Sequence, residues 1–474
     1  MSVGSVSDIQ SQLLLDEILT KSKAQPVYLN EVTVVGGDSF SNGFYKVLLA
    51  PLLSKSDYTL SQLMESIEAS RTALQKTDVF QSVNAVIRSK GNAILPKVPK
   101  YGNDDPISAL VIINLQPIKL NSNAGFIRFN SQDYLSLDFN YVNNNCNKNA
   151  EMVDLGVSLT PYKPNNSMVS NAKFVSHLNN PSIRLLVDSF YANQENQEWL
   201  QSSEKSWGGI IGLLYKLPNA NALTGVSFSE RTIHDVQDTA SDVVKKAVGD
   251  YTKLSIVNQL SYANIDYINN KTKNFPANGV TLDVNKEITF NRELYSSDHN
   301  KGNFAKVSGS LNLFKSFFNN AITAHGSVSA GSIWGNGPVH VSDRFYLGGY
   351  NSFRGFAKNA VNPEGGALFY SLGTTLYTKI PQIIKGTRTA NNDLRFYVSS
   401  AVANISDNWV TSSSPDVVTF GLGIAYLNPW ASLDLGYYIS SRLDKYSEST
   451  IGIRDGFQFS VSIGGSILQW INSS

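Results

Sequence analysis

At 474 residues the chain has room for two or three ordinary domains, or for one small domain and one large barrel. Lysine plus arginine number 39 against 38 aspartate plus glutamate, so no global field draws nucleic acid, which is excluded as an expected partner. The single cysteine, Cys146, rules out an intrachain disulfide and a cysteine-based zinc cluster.

Charged residues make up 16% and aromatics 11%, a balance that suits strands alternating between lipid and a wet lumen. A large secreted β-sandwich has the same balance, so composition leaves both open. The N-terminus, MSVGSVSDIQSQLLLDEILT, has neither a basic segment followed by an apolar one nor an Arg-rich, acid-poor leader. No uncharged apolar run approaches the ~18 residues of a membrane helix. A membrane-spanning chain of this composition is therefore expected to be a β-barrel, the other solution that pairs every backbone group.

In chain order, residues 1–25 read as a polar leader with one short amphipathic turn around Ile9–Leu19. A compact α/β pattern follows over 26–118. Val27–Val35 reads as a strand closed by Gly36-Gly37-Asp38, and Ser41 can cap a helix from Asn42 to about Ala50, where Pro51 discourages continuation. Thr59 and Gln62 form a capping box for a second helix with Leu60, Leu63, Met64, Ile67 and Leu74 at helical spacing. Val79–Arg88 and Ser108–Gln116 read as strands on either side of a Pro/Gly/Asn loop, Gly91–Pro106.

From Lys119 onward two-residue alternation replaces helical periodicity, apart from a short turn expected in Val236–Val248. Leu135, Leu137, Phe139 and Tyr141 share one face, and Leu433, Leu435 and Tyr437 repeat the pattern near the end. Turn signals at Asn143–Asn145, Pro161–Asn166, Asn179–Pro181, Asn269–Pro276, Ser296–Asn303, Gly335–Gly337 and Ser406–Asn408 separate the strands. Residues 119–474 accommodate about 16 strands at roughly 22 residues per strand and turn.

Catalytic signatures are missing. The five histidines are scattered, and there is no G-x-S-x-G elbow, P-loop or G-x-G-x-x-G. Gly421-Leu422-Gly423 starts like a dinucleotide loop, but Tyr426 stands where the third glycine belongs. Neither an enzymatic role nor a cofactor or metal is expected.

Four segments carry information. Arg344–Phe356 (RFYLGGYNSFRGF) pairs Gly348 with Gly349 for a sharp reversal, and Gly355 lets the backbone after Arg354 approach a wall. An arginine between Phe353 and Phe356 suits a plug whose rings pack while the guanidinium finds a polar partner; it suits a surface hairpin with a solvated arginine as well. Asn274–Leu282 holds a Pro-x-x-Gly turn, and Gly421–Leu435 a Gly-rich hairpin turning near Pro429. The terminal strand, Arg454–Gly465, sets Arg454, Gly456, Phe459 and Val461 in a polar-x-Gly-x-x-apolar-x-apolar pattern.

In this order, the four segments resemble the BamA-like superfamily of barrel-assembly and protein-transport barrels. Phe345, Gly348, Gly349, Arg354, Gly355 and Phe356 match its lumen-loop signature, with Phe353 in place of the usual Val or Ile. In Phe396–Ser400 a serine replaces the family's usual aspartate, so the resemblance assigns Arg354 no wall partner. The Asp-x-Arg that often precedes the Pro-x-x-Gly turn is also missing. The terminal strand resembles the β-signal of mitochondrial outer-membrane barrels.

The implied fold is an all-β transmembrane barrel of about 16 antiparallel strands behind a small N-terminal α+β POTRA domain. One such domain without a secretory leader resembles the barrel core subunits of mitochondrial sorting and assembly machineries. By that resemblance, the chain inserts β-barrel precursors into the mitochondrial outer membrane with accessory sorting-machinery subunits. Its N-terminal domain then faces the intermembrane space. The alternative is a protein-conducting or solute pore of the same fold. The expected lateral gate lies between the first barrel strand, about Leu120–Asn130 with Phe126 and Arg128, and the last, about Gly456–Ile467 with Phe459, Val461, Gly464 and Gly465. Gly464 and Gly465 weaken a strand interior, but they suit a bend at the barrel rim equally.

Overall fold

The computed structural model describes residues 23–89, 106–131, 135–162, 167–269, 273–290, 303–335, 339–380, 393–408, 414–443 and 452–466. Most of the leader, the Gly91–Pro106 loop up to residue 105, and residues 270–272, 336–338 and 467 lie outside them. Among the described residues no helix is long and apolar enough to cross a membrane, which says nothing of strands. The chain divides into two compact units: Met1–Asn121 with Asn143–Val153 and Ser176–Arg184, and Ser122–Val142 with Asp154–Val175 and Leu185–Ser474.

The first unit is built from β1 (Pro26–Val35), α1 (Asn42–Leu48), α2 (Ala50–Leu53), β2 (Asp57–Thr59), α3 (Leu60–Gln75), β3 (Phe80–Ser89) and β4 (Ile107–Pro117). Its sheet runs β2-β1-β4-β3, with β1 and β4 parallel and the outer pairs antiparallel. The Ser41 side chain caps α1 by accepting from the Phe44 N–H at 3.1 Å, and Thr59 and Gln62 close the capping box of α3. Pro51 does more than end a helix. It stands in the first turn of α2, where its missing N–H costs nothing.

Alternate residues of β4 (Ala109, Val111, Ile113 and Leu115) bury against Leu63, Ile67 and Leu74 of α3 to form the core. Ala150 joins that core, and Arg184 pairs with Asp78 at 2.7 Å in the same unit. Tyr45 donates to the Gly37 carbonyl at 2.8 Å; burial, aided by nearby Asp38, pushes its phenol up to about 12. The strands match expectation to within a residue or two. β2 and α2 are additions, each too short to produce a periodic signal.

The second unit is a closed barrel of 16 antiparallel strands. They are β5 (Asn121–Asn130), β6 (Ser136–Asn143), β7 (Met152–Leu159), β8 (Ser167–His177), β9 (Ile183–Glu195), β10 (Ser203–Lys216), β11 (Ala220–His234) and β12 (Gly249–Tyr267). Then follow β13 (Pro276–Phe290), β14 (Phe304–Phe317), β15 (Ile322–Gly335), β16 (Leu368–Lys379), β17 (Leu394–Ser406), β18 (Val417–Asn428), β19 (Ala431–Arg442) and β20 (Gly456–Ser466). Closure leaves no strand edge in hydrocarbon, where each unsatisfied backbone group costs several kcal/mol.

Alternation decides which face meets lipid. Phe420 and Leu422 on β18, and Tyr437 and Ile439 on β19, are exposed on the outer face, while Gly421, Gly423, Tyr438 and Ser440 between them line the lumen. The short turn expected in Val236–Val248 is a helix, α4 (Asp242–Lys246). In the Pro-x-x-Gly segment Pro276 opens β13, and Gly279 takes φ +135° where an added Cβ would press on Ile265 Cα of β12 at 2.7 Å. β20 closes on β5 from Ser460 opposite Asn130 to Ser466 opposite Ala124.

Candidate functional site: the lumen loop

Residues 336–367 leave β15 and return to β16, and their described part, from Val339, packs inside the barrel. The loop is a ribbon, not an open arch. Phe345 exchanges backbone hydrogen bonds with Gly366 at 2.9 and 3.0 Å, Val361 donates to the Leu347 carbonyl at 3.1 Å, and Gly349 to that of Phe356 at 3.1 Å. Gly348 and Gly349 supply the reversal, with φ of +122° and +101°; a Cβ on Gly348 would lie 2.9 Å from the Ala360 nitrogen. Phe353 and Phe356 are buried beside each other, ring centroids 5.7 Å apart.

The apex carries Arg354 to the wall of β17–β19. Its Nη2 meets the Asp434 carboxylate at 2.9 Å, its Nη1 donates to the Tyr438 hydroxyl at 2.5 Å and the Tyr397 hydroxyl at 3.3 Å, and its Nε to the Tyr350 carbonyl at 3.3 Å. The Tyr350 ring lies under the guanidinium at 4.3 Å. Tyr397 in turn donates to Asp434 at 2.7 Å and lies 2.8 Å from the Tyr438 oxygen. Charge-assisted bonds of this kind contribute about 1.5–3 kcal/mol each. The partner the resemblance left unassigned is thus Asp434 on β19. The strand Phe396–Ser400 supplies a tyrosine to the same knot.

The two tyrosines need space, and glycines provide it. A Cβ on Gly421 would collide with the Tyr438 ring, one on Gly423 would sit 2.7 Å from the Tyr397 ring, and one on Gly436 2.7 Å from the Tyr438 ring. The Gly421-Leu422-Gly423 pair is therefore a floor for aromatic rings. Gly421→Val is expected to push Tyr438 out of its socket and weaken loop docking. Tryptic cleavage after Arg354 and Lys358, followed by mass spectrometry, should accelerate roughly tenfold as the loop opens locally.

The apex also reaches the closing strand. Gly355, at φ +86°, packs where a Cβ would meet Thr419 Oγ1 at 2.7 Å, and its N–H donates to Gln458 Oε1 of β20 at 3.3 Å. Its carbonyl accepts from Arg454 at 2.8 Å, and the Ala357 N–H donates to Gly452 at 2.7 Å. Of the six predicted loop residues, Arg354, Gly355 and Phe356 meet the wall of β17–β20, Phe353 packs beside Phe356, and Gly348 and Gly349 are held against the loop's own residues.

The predicted gate residues lie on the two seam strands. Phe126 stands opposite Gly464, Arg128 opposite Ser462, and Gly465 opposite Gly125. A Cβ on Gly464 would lie 2.7 Å from the Phe126 Cα. Arg128 is paired with Asp138 of β6 at 2.7 Å. Phe459 packs at a tilt against Phe129 of β5 with centroids 5.3 Å apart, Val461 stands opposite that same Phe129, and Gly456 takes φ +118° in open space.

The base of the loop is fastened as well, and apart from Arg344 by residues the sequence did not single out. Asp343, 1% exposed, meets Arg231 of β11 at 2.8 Å and Lys253 of β12 at 2.6 Å. Lys306 of β14 donates to its backbone carbonyl at 2.7 Å, and Lys253 also meets Glu287 of β13 at 2.8 Å. His340 stacks on Tyr251 at 4.2 Å, and Ser342 donates to Glu204 at 3.0 Å. Arg344 pairs with Asp407.

A β-barrel of 16 strands with a charged loop fastened inside it defines the class. Residues 116–465 match the model of the Omp85 superfamily domain, and the chain belongs to that superfamily. Along nearly its whole length it is similar to the SAM50-like protein of Schizosaccharomyces pombe, 21% identical over 487 residues that span 95% of this chain and 93% of the relative. The human sorting and assembly machinery component 50 homolog is 30% identical over 159 residues, 30% of each chain. Among solved structures, BamA of Haemophilus ducreyi lacking POTRA domains 1–3 superposes with a TM-score of 0.69 at 15% identity, covering 93% of this chain and 85% of that one. CdiB of Acinetobacter baumannii gives 0.54 at 14% identity, over 98% and 82%.

Proposed function

We propose that this chain inserts and assembles β-barrel precursor proteins in the mitochondrial outer membrane, within a sorting and assembly machinery that includes accessory subunits. Its small N-terminal domain, residues 26–118, then lies in the intermembrane space. The near-full-length similarity to a SAM50-like protein supports this reading.

The observation that carries the mechanism is the seam. β20 and β5, last and first in the barrel, pair from Ser460–Asn130 to Ser466–Ala124, and the apex of the lumen loop is bonded to β20 beside it. A strand entering hydrocarbon alone leaves its backbone unsatisfied; a seam that opens offers the missing partner edge. In this mechanism a client's terminal β-signal adds to β5 by β-augmentation, and the rest of the client follows by hairpins. Arg128, Phe126, Gly464 and Gly465 border that edge, and Gly456, Phe459 and Val461 form the matching signal in this chain's own last strand. No covalent chemistry is required, so the role is not that of an enzyme.

The rival reading is a pore for unfolded proteins or solutes; the lumen loop does not separate the two, because protein-transport barrels share its signature, and the similarity to a SAM50-like protein favours insertion. Depletion separates the two. Assembly of a radiolabelled barrel precursor into depleted mitochondria should fall while import of soluble precursors continues. The reverse pattern would favour conduction and sink the insertion reading.

A further inference from the structure

The charges at the loop base fall outside the apex motif, and their arrangement has its own logic. Arg231, Lys253 and Lys306 come from three strands of the wall β11–β14 and converge on a single residue, Asp343. Three cations held this close repel one another; the Asp343 carboxylate buried among them meets both Arg231 and Lys253, and Glu287 meets Lys253 as well. The Asp343 carboxylate is shut away from solvent, whereas the neighbouring Arg344–Asp407 pair has its carboxylate largely exposed and screened. Asp343 is therefore the dominant fastening of the base.

We propose that Asp343 is a positioning residue for the Arg354 apex. The loop is a strut between two walls, pinned through Asp343 to β11–β14 and through Arg354 to β19, and Arg354 keeps its place only while Asp343 is locked. The ribbon pairing makes this coupling possible. Phe345–Gly366, Leu347–Val361 and Gly349–Phe356 hold the two limbs as one body, so motion at the base is transmitted to the apex. The functional weight of this strut rests on the insertion activity proposed above; its existence does not.

The test uses the full chain in lipid vesicles, its folding checked by heat-modifiable gel mobility. Tryptic cleavage after Arg344, Arg354 and Lys358 is timed by mass spectrometry. Asp343→Asn should accelerate cleavage at Arg354 and Lys358 roughly tenfold, and Asp343→Glu should return it to within about threefold of the wild type. Cleavage of Asp343→Asn at the wild-type rate would overturn the proposal, as would acceleration confined to Arg344. Should Asp343→Asn fail to fold, Lys253→Gln, which strips one cation from the same carboxylate, is read by the same criteria. A released loop with undiminished precursor assembly would leave the strut standing and refute the loop's part in insertion.

Discussion

Arg354→Ala should reduce precursor assembly by about tenfold or more while leaving this chain's own insertion largely intact. The guanidinium satisfies Asp434, Tyr438 and Tyr397 together, and these remain behind when it is removed. Losing even one charge-assisted bond at about 1.5–3 kcal/mol covers that tenfold change, since about 1.4 kcal/mol is a factor of ten. The barrel keeps its strand pairing, because Arg354 belongs to no strand. Arg354→Lys should recover little: a lysine offers a point charge where a planar fork meets a carboxylate and two hydroxyls. The measurement is precursor assembly scored against the amount of variant in the membrane. Equal loss of both would make Arg354 a folding residue and nothing more.

Locking the seam should have an effect as large, and a reversible one. Ser460 stands opposite Asn130, one step from Ser131, whose N–H donates to the Phe459 carbonyl at 2.9 Å. That neighbour relation makes Ser460–Asn130 a non-hydrogen-bonded pair, with Cα atoms about 4.5 Å apart, within reach of a disulfide. Cys146 is the only native cysteine, so Cys146→Ser gives a clean background. With cysteines at Ser460 and Asn130, oxidation should lower precursor assembly roughly tenfold and a reductant should restore it, as expected of a strand edge that must open to accept a client. An oxidised barrel that assembles precursors at full rate would rule out this seam as the exit.

Much of the architecture was legible because its signals are local. The capping box at Thr59–Gln62, the alternation of Leu433, Leu435 and Tyr437, and the span of β5 all follow from spacing within one element. The loop motif was legible too, since its glycines and aromatics are contiguous. Its partners were not. Asp434 sits between Leu433 and Leu435 at an inward position, and inward polar residues are ordinary in a wet lumen. Only the order of strands around the barrel brings it to Arg354. Asp343 lay one residue before the motif, and its three cations are scattered over β11, β12 and β14, where each looks like any lumen-facing charge. The role of Gly421-Leu422-Gly423 was hidden for a related reason: its glycines serve rings that arrive from other strands.

The separations in the loop's contacts also set an order of events in this chain's own biogenesis. The Arg354–Tyr438 bond spans 84 residues and the Gly355–Gln458 bond 103, both toward the C-terminus. During synthesis and membrane entry the apex therefore cannot complete its bonds until β19 and β20 have arrived, with Tyr397 of β17 its earlier partner, whereas the base can already engage β11, β12 and β14. The arginine knot works as a certificate of completion. It is complete in a barrel that possesses its last two strands, and a chain halted before them lacks the Asp434, Tyr438 and Gln458 fastenings of the apex.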